Sequence, residues 1–176
     1  MPISDTQKAY ISETLFCDYA IATSDGDAEL FRPLTDDDHR DISLGRRGKG
    51  GAIYVQVKMA AAPDEHGYVR AHVSFHGQPT QGPWLAYAVV LVPLPNPVIE
   101  LAWLIPQDDM NRLCELSSPE GGVTQLNFYA KPAGADRFSP YRVGTGDIGP
   151  RLLELLEKSD ARRLPYRGGE LIALRR

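Results

Sequence analysis

A chain of 176 residues, 43% hydrophobic and 24% charged, has the size and balance of one soluble domain with a sizeable core. Its formal net charge of -4 excludes a protein that coats nucleic acid by bulk electrostatics, so any contact with a polyanion has to come from a local patch. The most apolar stretch, WLAYAVVLVP at residues 84–93, is too short and too closely bounded by proline to cross a bilayer, and no apolar leader follows a basic start; a cytoplasmic chain without a membrane partner is expected.

Along the chain, SDTQKAYISETLFCDY at residues 4–19 begins with capping residues and then repeats Ala9, Leu15, Phe16 and Tyr19 at helical spacing, which predicts an opening helix that carries Glu13. After the turn-rich TSDGD, AELFRPL reads as a short strand and the acidic TDDDHRD as a loop leading into DISL. The glycines of GRRGKGG suit a hairpin turn that needs positive φ angles, and they join DISL to the strand AIYVQVKM. YVRAHVSFHG alternates, with Val69, Ala71, Val73 and Phe75 on one face and Arg70, His72, Ser74 and His76 on the other. WLAYAVVLVPL is a buried central strand, and NPVIELAWLI is another. Pro106 opens a helix, PQDDMNRLCEL, with acids in its first turn, and VTQLNFYA is a last sheet strand. After an irregular segment, Pro150 starts a helix over PRLLELLEKSDARR whose leucines form an apolar face. This order predicts an α/β (α+β) architecture, a mixed sheet flanked by helices, in one unit over residues 1–176 that ends in a C-terminal helix and basic tail at 149–176.

One strand is anomalous. Alternation in AIYVQVKM places Ile53, Val55 and Val57 on one face, and Tyr54, Gln56 and Lys58 on the other. An amide and an amine thus sit two residues apart on a strand that is otherwise apolar. With Asp41 on the neighbouring strand, the set joins a carboxylate, an amide oxygen and an ammonium, a combination suited to a hard divalent cation and an activated water; Glu13 from the helix adds a second carboxylate. Asp36, Asp37 and Asp38 compete with Asp41 for the acid's role, but RDISL alternates as a strand whereas TDDDH reads as a loop. Arg46, Arg47 and Lys49 on the hairpin turn are candidate phosphate contacts.

The spacing D-x14-Q-x-K from Asp41 through Gln56 to Lys58, with a helix bearing Glu13 before it, resembles the signature of the PD-(D/E)xK, or restriction-endonuclease-like, nuclease superfamily. In this chain a glutamine replaces the second acid, as in type IV restriction endonucleases and some bacterial domain families placed in the same superfamily. The downstream pair of apolar strands ending in WLIP and a short helix is also similar, so the likeness covers roughly residues 5–130 and is strongest at roughly 36–60. It implies a restriction-endonuclease-like central mixed β-sheet flanked by helices and an Mg2+- or Mn2+-dependent endonuclease acting on DNA rather than RNA, with a place in bacterial or phage defence. By the same resemblance Asp41 is the bridging metal ligand, Gln56 a neutral ligand, Lys58 the residue that positions water and stabilises phosphate charge, and Glu13 an auxiliary acid. It also admits a homodimer, since many nucleases of this type cut two strands as dimers.

The residues have plainer readings too. Lys58 also fits a lysine that protects a sheet edge, Gln56 a cross-strand hydrogen bond, and Glu13 a surface helix position. A neutral Gln56 and an acidic chain both suit a nuclease fold that binds or assembles without cutting. His72 and His76 lie about 13 Å apart on an extended strand, too far to share a metal. Cys17 and Cys114 lack ligand or redox spacing and read as reduced, buried thiols.

Overall fold

The first helix, α1 (Asp5–Thr23), starts where Ser4 closes a capping box: its hydroxyl accepts from the Gln7 N–H at 3.3 Å, and its own N–H donates to the Gln7 amide oxygen at 2.9 Å. The helix runs one turn past the expected end, and its buried line is Ser12, Phe16 and Ala20, with Leu15 and Tyr19 beside it and Ala9 exposed. Small residues at 12 and 20 let this helix sit close to its neighbours, which spacing of large apolar residues did not reveal. In this computed structural model the residues described are 3–33, 40–76, 82–118 and 122–162. Asp36, Asp37, Asp38 and His39, and the basic tail from Arg163 onward, lie outside them.

Three strands follow: β1 (Ala28–Phe31), β2 (Ile42–Arg46) and β3 (Ala52–Ala60), each antiparallel to the next. The hairpin turn expected between the last two forms, with Gly48 at φ 68° and Gly51 at φ 99° supplying the left-handed backbone. β4 (Val69–His76) then leaves this sheet, and β5 (Leu85–Leu91) returns to lie parallel to β3. β6 (Leu101–Pro106) is antiparallel to β5. Next come α2 (Gln107–Leu113), β7 (Glu115–Ser117), β8 (Val123–Ala130), β9 (Arg142–Val143) and α3 (Ile148–Arg162).

The result is a six-stranded mixed sheet in the order β1-β2-β3-β5-β6-β9 and a separate antiparallel sheet, β4-β8-β7. The mixed sheet with helices is as expected; the second sheet is not. Two readings change with it. CEL, taken as the end of a helix, begins β7, because pairing of Leu116 with Leu126 in β8 outweighs helical propensity. VTQLNFYA is the centre of the small sheet, and the segment read as irregular supplies β9 to the edge of the large one.

Each face of the large sheet has its own cover. Ile53, Val55, Val57, Ala86, Ala88, Val90 and Leu104 pack under α1 and α3. Tyr87, Val89, Trp103 and Ile105 pack under the small sheet and α2, through Val69, Val73, Leu126, Phe128 and Met110. A sheet covered on both sides explains why β5 is buried at every position and reads as one apolar run. The alternation expected for β4 holds: Val69 and Val73 face the second cluster and Arg70, His72 and His76 are exposed.

The two helices on the first face touch backbone to backbone. A Cβ on Gly149 would lie 2.5 Å from the Ser24 N and 2.7 Å from the Ala20 O, and the Gly149 N–H donates to the Thr23 hydroxyl at 2.7 Å. Pro150 is the third residue of α3, within the first turn, where its missing N–H has no intrahelical partner to lose.

Candidate active site

β3 carries the anomalous pair where alternation puts it. Ile53, Val55 and Val57 belong to the cluster under the helices, whereas Tyr54 packs against the second cluster. Gln56 and Lys58 share the parity of Tyr54 and so the face of the sheet turned towards the small sheet. Gln56 is 1% exposed, and its amide oxygen has no hydrogen-bond partner. A buried acceptor left unpaired costs about 1–3 kcal/mol, so something other than stability accounts for it. Lys58 is half-buried.

The register brings Asp41 to the same place. Ile42 pairs with Val55, so Asp41, one residue beyond the last pair of the ladder, comes to the stretch of β3 that holds Gln56 and Val57. The Tyr54 N–H points the other way, to the Trp84 carbonyl at 2.6 Å, which leaves the Val55 and Val57 N–H groups facing β2. β2 as a paired strand stops at Ile42, and the Val57 N–H donates instead to the Asp41 Oδ2 at 2.6 Å. The carboxylate is therefore anchored on the backbone of β3, between Gln56 and Lys58 in sequence. On the other side of Gln56, in register on β5, is Tyr87, whose phenol burial pushes up to about 12, so it stays protonated.

Glu13 reaches this end of the molecule by another route. Arg32, just past β1, donates to the Thr14 hydroxyl at 2.9 Å, so the Glu13 turn of α1 lies near the end of the sheet where Asp41 is. The helix itself packs on the Val55 and Val57 face, opposite Gln56 and Lys58. Glu13 also acts on Cys17, whose thiol is pushed up chiefly by burial, with Arg32 opposing and Asp18 and Glu13 adding to the rise. Among the described residues no three His, Cys, Asp or Glu side chains form a group able to hold a metal. A cation here would rest on the Asp41 carboxylate and the Gln56 amide oxygen, with water and substrate oxygens completing its shell, which is how Mg2+ is commonly held. The unpaired Gln56 oxygen beside a carboxylate fits that role.

The basic turn does not sit beside these residues. Six residue steps on β3 separate Ala52 from Lys58, about 20 Å at strand rise, and the turn lies beyond Ala52. Arg46 is held there by two carboxylates, Asp27 at 2.7 Å and Glu157 of α3 at 2.5 Å, while Arg47 and Lys49 are exposed. The turn and Lys58 thus lie towards opposite ends of β3. One cation absent from the sequence-based set is at the other end: Arg40 lies with its guanidinium carbon 4.6 Å from the centre of the Tyr54 ring. Only its place next to Asp41 in sequence signalled it.

The architecture is α+β, a mixed sheet covered by helices on one face and by a second sheet and a short helix on the other. The chain is similar in structure to a solved bacterial homing endonuclease, I-Ssp6803I, with a TM-score of 0.55 over 92% of this chain and 99% of that one, at 17% sequence identity; the likeness is one of fold. No family model matches the chain, and no curated protein matches it. No helix among the described residues is long and apolar enough to cross a membrane.

Proposed function

We propose that the protein is a metal-dependent endonuclease of the PD-(D/E)xK type in its D…Q-x-K form, hydrolysing phosphodiester bonds in DNA. The observation that carries this reading is the hydrogen bond from the Val57 N–H to the Asp41 carboxylate, on β3 between Gln56 and Lys58. The likeness in fold to an endonuclease supports it. Asp41 and Gln56 would hold Mg2+ or Mn2+, and Glu13 would contribute from the helix side. The bound ion would supply Lewis acidity and a more acidic water. Lys58, half-buried and so working in reduced dielectric, orients the attacking water and stabilises the charge that builds on the phosphate oxygens. Because an amide brings no charge, Asp41 and Gln56 would hold a cation more weakly than a site with a Glu and would rely more on the substrate's own phosphate.

A second reading has one observation in its favour. Among the described residues no three-acid group assembles, as expected of a nuclease fold that binds nucleic acid or partners without cutting. Metal separates the two readings. Purified protein and Lys58→Ala are assayed on supercoiled and linear DNA, single-stranded DNA and RNA, with Mg2+, with Mn2+ and with chelator. Metal-dependent cutting that Lys58→Ala abolishes supports the nuclease. A folded chain that cuts nothing, and whose melting temperature does not respond to either ion, is the binding module.

A further inference from the structure

One end of the small sheet borders a hollow of about 480 Å3, within the range of about 300–1,000 Å3 common for small-ligand pockets. Tyr68 and Tyr129 both line it, and each is held in place. Tyr129 pairs in register with Arg70, whose guanidinium carbon lies 5.3 Å from the ring centre, and the Lys131 Nζ lies 5.2 Å from the centre of the Tyr68 ring. The Tyr68 backbone is fixed as well: its N–H donates to the Asp64 Oδ1 at 2.9 Å, and its carbonyl accepts from the Asp64 N–H at 2.8 Å. Rings set in this way lose little further freedom when a flat ligand stacks on them.

The charges around the rings decide what kind of ligand suits them. Among the described residues in and beside the hollow, Arg70, Lys131 and Arg137 are matched by Asp64, Glu115 and Asp136, so there is no surplus of positive charge to draw in a phosphate. Asp64 and Asp136 are committed to the fold. The first accepts the His66 and Tyr68 N–H groups and pairs with Arg70; the second accepts the Lys131 and Phe138 N–H groups at 2.6 and 2.8 Å. Glu115 and Arg137 are instead an exposed pair, 3.3 Å apart, and such a pair is exchanged for a ligand at little cost. An acceptor and a donor beside two aromatic rings suit a planar heterocycle that carries both donors and acceptors on its edge, which describes a nucleobase. The chain path links the hollow to the candidate site: β3 ends at Ala60, two residues past Lys58, and the loop that follows carries His66 and Tyr68.

We propose that this hollow binds one unstacked nucleobase of a DNA strand, with Tyr68 and Tyr129 as the stacking surface and Glu115 and Arg137 as the contacts to the base edge. The assignment rests on the nuclease reading for the class of ligand, and it narrows the substrate to DNA that contains an unpaired nucleotide rather than a continuous duplex. Stacking accepts any base, since each has a π face, and the edge contacts add orientation.

The test is binding of three labelled DNAs with Ca2+ in place of Mg2+, across a salt series and with thermal unfolding of each variant alongside: a duplex with one unpaired nucleotide, the same duplex with that nucleotide abasic, and the continuous duplex. Wild type is expected to bind the first about tenfold more tightly than the other two. Tyr68→Ala and Tyr129→Ala should each remove most of that preference with the slope of log affinity against log salt unchanged, because stacking carries no charge, and Tyr129→Trp should keep it. Equal binding of the unpaired and abasic duplexes by wild type overturns the proposal, and that comparison needs no variant to fold. A folded Tyr68→Ala, Tyr129→Ala double variant that keeps the preference overturns it too. Cleavage is read separately. A chain that prefers the unpaired base but cuts nothing with Mg2+ or Mn2+ removes the nuclease reading and leaves the base site standing, whereas one that cuts without the preference removes the base site alone.

Discussion

The two ends of the β2–β3 pair are built from similar residues to different purposes. At the turn end Arg46 is satisfied twice, by Asp27 and Glu157, and α1 and α3 close on each other nearby at Gly149 and Ser24. At the other end Asp41 takes a backbone N–H outside the ladder, the Gln56 oxygen is buried without a partner, and an arginine lies against Tyr54. Charges at the first end stabilise the fold. At the second, the Gln56 oxygen is buried unpaired at some cost to it, the kind of locally unfavourable choice that marks a candidate site.

The comparison is most easily broken by activity. Asp41→Ala and Lys58→Ala should each reduce metal-dependent cleavage by at least about a hundredfold, measured on supercoiled DNA. The two should differ in stability: Asp41→Ala strands the Val57 N–H and loses about 1–2 kcal/mol in urea unfolding, whereas Lys58→Ala changes little. If Lys58→Ala unfolds the protein as readily as it silences it, the division between the two ends is false.

At the turn end the expected effects are on stability alone. Gly149→Ala forces apart backbones already in contact and should lose about 1–3 kcal/mol with cleavage by the folded fraction unchanged. Gln56→Met has the opposite sign: removing a buried, unpaired amide should raise stability by about 1–2 kcal/mol while abolishing activity and any rise in melting temperature with Mn2+. A Gln56→Met variant that is less stable than wild type would mean that the amide has a structural partner after all. Arg46→Met, which breaks two part-exposed ion pairs, should cost about 0.5–1 kcal/mol and leave cleavage intact.

The smallest effect near neutral pH concerns two buried groups, Tyr87 beside Gln56 on β5 and Cys114 at the end of α2. Burial pushes the Cys114 thiol from 9.0 to about 12 and the Tyr87 phenol from 10.0 to about 12. The unfolded chain releases these protons from about pH 9 upward while the folded chain keeps them, so it is the folded state that binds more protons there. Stability should fall as pH climbs from about 9 towards 12 and show no contribution from either group at neutrality, as melting curves across that range would reveal. Cys114 should also resist thiol reagents at pH 8 until the chain is unfolded.

Much of the candidate site's placement on β3 was legible because strand alternation has a period of two and does not depend on the rest of the fold. That alone put Gln56 and Lys58 on one face and Val55 and Val57 on the other, and the glycine turn joined their strand to the one Asp41 precedes. How far the turn's cations stand from that pair was not legible, for a reason equally simple. Sequence nearness to a hairpin is not nearness to its open end, and only the length of β3 separates Arg46, Arg47 and Lys49 from Lys58.

By itself the sequence determined what is local: the capped opening helix, the hairpin, the alternating β4, the continuously apolar β5, and the polar pair on β3. Each follows from rotamer, φ angle or side-chain period within a few residues. Tertiary structure decided what depends on distant partners. The split of the strands into two sheets, the diversion of CEL from helix to β7, the satisfaction of Arg46 by Glu157 and the fold-back of Arg40 onto Tyr54 all depend on which surfaces meet. Such contacts are chosen by the burial and pairing of residues far apart in the chain, and no local pattern carries that information.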